Sequence, residues 1–175
     1  MRINQNTVLQ GKRVTLVPYT SAHVPRYHEW MKSEELQRLT ASEPLSLEQE
    51  YKMQCSWRED TDKCTFIILD SEKWSRQAAT EEDSMVGDVN LFLTDAEDPT
   101  LGEIEVMIAE ASYRGRGFGK EATQIMMSYG GSKQCLPRSD SETEGGRTRE
   151  RMVARANQPC GRKKLQCHEA TESGL

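Results

Sequence analysis

The segment Tyr113-Arg114-Gly115-Arg116-Gly117-Phe118-Gly119-Lys120 joins a strand pattern to a helix pattern. Within residues 104–108, apolar side chains stand at every second position, which is the period of a strand with one buried face. From Phe118 to Tyr129, apolar side chains recur at the spacing of one helical face. The sequence therefore predicts a strand, a glycine-rich loop and an amphipathic helix in succession.

The loop has the composition of an anion site. It contains three glycines within five residues, and no Ser, Thr, Asp or Asn caps the helix that follows. Several backbone N–H groups at the helix start are therefore left without partners. The helix dipole and the charges of Arg114, Arg116 and Lys120 favour a bound anion, and glycine admits it close to the backbone. These features predict a pyrophosphate cradle; a purely structural left-handed turn is the alternative.

Two other glycine-loop chemistries do not fit the spacing. A Walker A loop ending in Gly119-Lys120 needs glycine and Ser or Thr where Arg114 and Glu121 stand. A dinucleotide fingerprint needs a second strand that ends in an acidic residue about twenty residues on. No strand pattern follows Gly130, so the dinucleotide fingerprint is excluded as well.

The spacing Arg114-x-x-Gly117-x-Gly119 resembles the Q/R-x-x-G-x-G/A signature of the GNAT acetyltransferases. The predicted element order over residues 8–130 also resembles this family. Four short segments are similar in sequence to the subgroup of the family that acetylates protein amino termini. The segments that carry this likeness are residues 11–16, 27–31, 85–91 and 102–108.

The resemblance implies an α/β GNAT fold, with a mixed central sheet, flanking helices and the family's C-terminal strands missing. It implies acetyl-CoA as cosubstrate without a metal, and transfer of acetyl to an amine, above all the amino terminus of a protein. Tubulin is the acceptor proposed for the resembling subgroup. The alternative is a non-catalytic, truncated isoform that keeps only the phosphate-binding loop.

The same resemblance implies site residues. Glu103 stands where related enzymes carry their general base, and Glu105 shares its face of the strand; two solvated carboxylates are the alternative. The backbone of residues 107–109 is expected to pair with pantetheine, and residues 115–119 to hold the pyrophosphate. The expected cofactor-binding residues are Met107, Ile108, Ala109, Arg114, Gly115, Arg116, Gly117, Phe118, Gly119 and Lys120.

Upstream patterns predict the remaining elements. Strands are expected at 14–17, 64–70 and 85–93, a helix at 21–31, and a polar surface loop at 71–84. Ser46 and Gln49 form a capping box that starts another helix, whose apolar face would carry Leu47, Tyr51 and Cys55. Trp30 and Trp57 are candidates for a substrate groove, although core packing is the commoner role of such residues.

Composition bounds the function. The net charge is −5, and it is uneven, because residues 131–175 are net basic while residues 1–130 are acidic. An acidic body favours an amine-bearing substrate over nucleic acid. Five cysteines without a C-x-x-C pair indicate neither a disulfide framework nor a zinc site. No membrane-spanning run or leader pattern occurs, so a cytoplasmic protein is expected.

The last part of the chain differs from the rest. Leu, Ile, Val and Phe occur at only four positions after residue 130. So few apolar side chains cannot offset an ordering cost of roughly 1–2 kcal/mol per residue. The sequence therefore predicts an acetyltransferase-like part over residues 1–130 and a disordered tail, unrelated to the family, over residues 131–175. Oligomeric state is not indicated.

Overall fold

The computed structural model describes residues 4–93, 102–131, 150–156 and 163–169. The strands are β1 (Leu9–Gln10), β2 (Val14–Pro18), β3 (Lys63–Asp70), β4 (Met85–Leu93), β5 (Gly102–Ile108), β6 (Glu150–Ala156) and β7 (Lys163–Glu169). The helices are α1 (Val24–Met31), α2 (Glu34–Thr40), α3 (Leu47–Glu59), α4 (Ser71–Trp74), α5 (Glu81–Ser84) and α6 (Phe118–Gly131). Short 3₁₀ turns at Ser21–His23 and Ala111–Tyr113 precede α1 and the glycine loop.

Strands β1 to β5 form one sheet in sequential order. Every neighbouring pair in it is antiparallel. The mixed sheet expected from the resemblance is therefore not seen in this five-stranded sheet. Parallel neighbours require a crossover connection, so a parallel partner of β5 would be a strand that follows α6 in the sequence.

Both faces of the sheet are covered by helices, and β3 shows this best. Phe66 and Ile68 point into a core shared with α6, whereas Ile67 and Leu69 point into a core shared with α1. All four side chains are fully buried. A strand covered on both sides is continuously apolar, as this one is in the sequence.

Most predicted elements of residues 8–130 are confirmed, with three differences. Strand β1 was not predicted. Helix α2 was not predicted, although Ser33 caps it by accepting from the Leu36 amide. The 71–84 segment holds the short helices α4 and α5 rather than being loop throughout.

The capping box of α3 is confirmed, but its predicted buried face is wrong. The Gln49 amide donates to Ser46 Oγ (3.3 Å), and the Ser46 amide donates to Gln49 Oε1 (2.8 Å). Leu47, Tyr51 and Cys55 are nevertheless exposed. The buried positions are Glu50 and Gln54, because this side of α3 meets polar groups; Gln54 Nε2, for example, donates to the Tyr19 carbonyl (2.9 Å).

The structure also differs from the sequence-based expectation after Gly130, where no strand pattern was found. Strands β6 and β7 pair antiparallel with each other, and β7 lies close to β5. Within the described residues the two sheets are not hydrogen-bonded into one. Strand pairing uses main-chain groups, so it does not require the apolar alternation that sequence patterns detect. The rest of the predicted disordered tail lies outside the described residues.

Candidate functional site

The glycine loop contains two residues with a left-handed backbone. Gly115 and Gly117 have φ of +73° and +88°, in the left-handed region that favours glycine. The Glu121 amide donates to the Gly117 carbonyl (3.0 Å) at the start of α6. The amides of residues 115–119 therefore precede the helical ladder, at the positive end of the helix dipole.

The three glycines have different surroundings. A Cβ built on Gly115 meets no atom of the described chain within 4 Å, so open space lies beside the loop. A Cβ on Gly119 would contact Ile108 Cγ1 at 3.5 Å and Val106 Cγ2 at 3.8 Å, which are ordinary packing distances. Gly119 therefore faces β5, whereas Gly115 borders the open side of the loop.

Arg13, which the sequence analysis did not select, lies beside the loop. Its Nη1 is 3.8 Å from the position of a Cβ on Gly117 and 3.9 Å from Glu121 Oε2, and its side chain is more than half exposed. Glu121 Oε1 accepts from the amides of Lys12 and Arg13, which fixes the β1–β2 turn on α6. Gly11 permits this approach, since a Cβ there would lie 2.5 Å from Glu121 Oε1. The Gly11-Lys12-Arg13 segment was the available sequence signal.

The predicted basic residues of the loop point in different directions. The Arg116 guanidinium stacks on the rings of Tyr113 (5.2 Å) and Phe118 (5.7 Å). Lys120 is exposed on the first turn of α6. Arg114 turns back to β5, where its Nε donates to the Ile108 carbonyl at 2.9 Å. Phe118 is buried in the core below the loop.

The hydrogen-bond register of β5 separates the three residues expected to pair with pantetheine. The amides of Ala109 (2.9 Å) and Glu110 (3.2 Å) both donate to the Val86 carbonyl, so the Ala109 amide faces β4. Pairing alternates along an antiparallel ladder, so Met107 also directs its main-chain groups to β4, opposite Asp88. Ile108 directs its amide and carbonyl to the other edge. Of the three, only Ile108 presents its amide there.

A cleft of about 210 Å³ lies between the helices α1 to α3 and the sheet face that they cover. Its lining residues are Tyr27, Thr40, Ser42, Trp57, Lys63, Asp88, Asn90, Phe92, Glu105, Val106 and Met107. Glu105 is thus among the residues that line the cleft, and Glu103 is not. Trp57, a candidate for a substrate groove, contributes to the wall of the cleft. Trp30, the other candidate, is buried and donates to Glu110 (2.7 Å).

A row of hydrogen-bonded polar side chains on the sheet ends at Asn90 and Asp88 in the floor of the cleft. Thr65 Oγ1 donates to Asn90 Oδ1 (2.6 Å), and Asn90 Nδ2 donates to Asp88 Oδ2 (2.7 Å). The Lys63 ammonium lies over the Trp57 ring, 2.9 Å from its centroid. The cleft therefore combines aromatic walls with carboxylates and one internal cation, a lining suited to a polar, amine-bearing group.

Glu50 and His23 are buried titratable side chains on the helical side of the cleft. Burial raises the pKa of Glu50, against the opposing effect of His28, whose Nδ1 lies 3.8 Å from Glu50 Oε1. Burial lowers the pKa of His23, against the opposing hydrogen bond between its Nε2 and Glu81 Oε2 (2.9 Å). Neither histidine lines the cleft, so neither is placed as a catalytic base.

Among the described residues, no group of three or more His, Cys, Asp and Glu side chains has the arrangement of a metal site. In the same part of the chain, no helix has both the length and the apolar character needed to cross a bilayer.

The fold and the glycine loop define a class of protein. A family model described as an acetyltransferase (GNAT) domain matches residues 13–158. The match covers most of the chain and continues past α6 into β6. The chain therefore belongs to the GNAT acetyltransferase family, as its loop signature predicts.

Particular relatives extend this assignment. The chain is 77% identical over 132 residues to human alpha/beta-tubulin-N-acetyltransferase 9, covering 74% of this chain and 64% of that protein. It is 68% identical over 143 residues to the mouse protein of the same name, covering 81% and 59% respectively. These identities confirm the resemblance to one subgroup of the family that residues 11–16, 27–31, 85–91 and 102–108 indicated. The chain spans about three fifths of the length of these relatives.

Solved structures agree on the fold. The ribosomal L7/L12 alpha-N-protein acetyltransferase in complex with coenzyme A has a TM-score of 0.57 to this chain. The alignment covers 93% of this chain and 98% of that chain at 11% sequence identity. An acetyltransferase of the GNAT family from Bacillus anthracis has a TM-score of 0.59 at 12% identity, with 93% and 98% covered.

Proposed function

We propose that this chain transfers the acetyl group of acetyl-CoA to an amine. One observation carries the proposal: Gly119 of the loop packs against Ile108 at the end of β5, and Glu105 of the same strand lines the cleft. The loop proposed to bind the anion and the cleft proposed to bind the acceptor thus adjoin the same strand. The high identity to named acetyltransferases supports the same activity.

The residues present fit a CoA thioester. The amides of residues 115–119 would bind the pyrophosphate, with Arg13 and the exposed Lys120 as further cations. The Ile108 amide, on the edge of β5 away from β4, would donate to the pantetheine arm. When bound, acetyl-CoA supplies an activated thioester carbonyl. Anion-binding loops of this kind work by local donors, and they require glycine at the left-handed positions.

For the acceptor side, we infer that Glu105 accepts the proton released as the amine nitrogen bonds to the acetyl carbon and the CoA sulfur leaves. Glu105 lines the cleft, and the distance along the strand from Ile108 is three residues. Glu103, the position favoured by the family resemblance, lies two residues further from the loop. A carboxylate needs direct or water-mediated reach to the amine to act as a base.

We further infer a protein amino terminus as acceptor, with tubulin as the leading candidate because the human and mouse relatives carry that name. A tubulin acceptor agrees with the cytoplasmic location expected from the sequence. The net negative charge of the chain favours a cationic acceptor over nucleic acid.

Cofactor binding tests the proposal directly. Gly117→Val should weaken acetyl-CoA binding about tenfold or more, because the free loop would relax out of the left-handed region and binding would have to restore a conformation that costs roughly 1–2 kcal/mol. Gly119→Ala is the matched control, since its Cβ would face Ile108 at an ordinary distance. Calorimetric titration with acetyl-CoA checks both, and circular dichroism checks that both variants keep their helices. Equal affinity of wild type and Gly117→Val contradicts the cradle.

A further inference from the structure

The side chain of Arg114 is committed to the end of β5. Nε donates to the Ile108 carbonyl (2.9 Å) and Nη2 donates to the Ala109 carbonyl (3.2 Å). Nη1 lies 3.2 Å from Glu35 Oε1 on α2. The guanidinium therefore uses all three of its nitrogens on protein oxygens, and two of them are main-chain carbonyls.

The bond to Ile108 falls where the ladder between β4 and β5 gives no support. The Ile108 main-chain groups face away from β4, so its carbonyl has no partner in that ladder. Arg114 supplies the partner. Because the amide and carbonyl of Ile108 share one strand edge, fixing the carbonyl also fixes the direction of the amide.

A second clamp holds the next residue. Glu110 Oε1 accepts from Arg26 Nη2 and from Trp30 Nε1, both on α1. Side chains of α1 thus hold Glu110, and Arg114 of the glycine loop holds Ile108 and Ala109, at and just after the end of β5. The Arg114–Glu35 pair is the weaker link, since the Glu35 side chain is more than half exposed.

We propose that Arg114 is a positioning residue that holds the Ile108 edge of β5 for the acyl donor, and is not a phosphate ligand. This inference rests on the proposed acetyl transfer. Arg114 acts through Ile108, whereas the phosphate contacts belong to the loop amides and to Arg13, whose side chain is more than half exposed beside Gly117.

Two acyl donors separate the roles. S-acetylpantetheine lacks the pyrophosphate of acetyl-CoA but keeps the thioester and the pantetheine arm. Arg114→Met should lower kcat/KM by a similar factor, up to about 10²-fold, with both donors, because misplacing a reacting group costs that much. Arg13→Met should lower it with acetyl-CoA alone. Arg114→Gln, whose amide can donate to the Ile108 carbonyl, should recover part of the loss, and Glu35→Gln should have little effect.

A loss in Arg114→Met that is confined to acetyl-CoA, or no loss with either donor, overturns the proposal. Hydrogen exchange gives a readout independent of activity: Arg114→Met should speed exchange at residues 108–110 without altering that of β3, and unchanged exchange there also overturns it. If the wild-type chain transfers acetyl from neither donor, the proposed function fails instead, and the exchange result still decides the structural role of Arg114.

Discussion

At the scale of single residues, the two carboxylates of β5 share a strand face but differ in their surroundings. Glu105 stands opposite Asn90 in the ladder and lines the cleft. Glu103 stands opposite Phe92, nearer the start of the strand. A base must reach the reacting amine, so position in the cleft decides between two chemically equal groups.

Glu105→Gln should therefore lower kcat for peptide acetylation by about 10²-fold or more, the size of a typical general-base contribution. It should leave acetyl-CoA affinity nearly unchanged, because the substitution removes a proton acceptor and little volume. Glu103→Gln is the isosteric control and should stay close to wild type. Steady-state kinetics at neutral pH check this. A large loss in Glu103→Gln with Glu105→Gln silent would return the role to Glu103.

At the scale of elements, the 3₁₀ turn before α1 is joined to α5 by His23. The ring is buried, with 1% of its surface exposed. The Thr20 amide donates to Nδ1 (3.0 Å), so the proton of the neutral ring lies on Nε2 and is donated to Glu81. This bond ties the segment before the acceptor-side helices to the start of β4.

Burial lowers the pKa of His23 below the ordinary histidine value of 6.5. The unfolded chain therefore binds more protons than the folded chain between the lowered pKa and 6.5. Stability from the neutral, buried ring is fully present above pH 6.5 and should be lost as pH falls through that interval. Urea unfolding across this range should show it.

His23→Gln should remove this part of the pH dependence while lowering stability overall. Glu81→Gln should extend the interval to lower pH, since the Glu81 carboxylate raises the His23 pKa and so opposes burial. An unfolding free energy that stays flat below pH 6.5 in the wild type contradicts the assignment of His23 as a buried neutral group.

At the scale of the whole molecule, the two sheets differ in what holds them. The five-stranded sheet is covered by α6 on one face and by α1 on the other, with apolar cores on both sides. Strands β6 and β7 belong to a segment with only four Leu, Ile, Val or Phe residues after residue 130. Burial of apolar surface supplies most of the free energy that offsets chain ordering.

We therefore expect the amides of β6 and β7 to exchange with deuterium much faster than those of β3 and β4. Hydrogen exchange with mass spectrometry on the full chain checks this, with β3 as the internal reference. Protection of residues 150–156 and 163–169 equal to that of β3 would show that the strand pair is a stable part of the fold. The separate character assigned to residues 131–175 stays a prediction until then.

The sequence by itself determined the features that depend on neighbours a few residues apart. Apolar periodicity placed β2 to β5 and α6, and the Ser46–Gln49 box placed the start of α3. The loop spacing predicted the family, and glycine is the residue that its left-handed positions favour, since backbone sterics decide φ locally.

Only the tertiary structure decided which groups from distant segments meet. It brought Arg13 to Gly117, turned Arg114 to the Ile108 carbonyl and placed Glu105, but not Glu103, in the cleft lining. It also buried Glu50 and exposed Tyr51 on α3, against the apolar pattern. These outcomes depend on packing between elements and on strand register, which periodicity within one element does not encode.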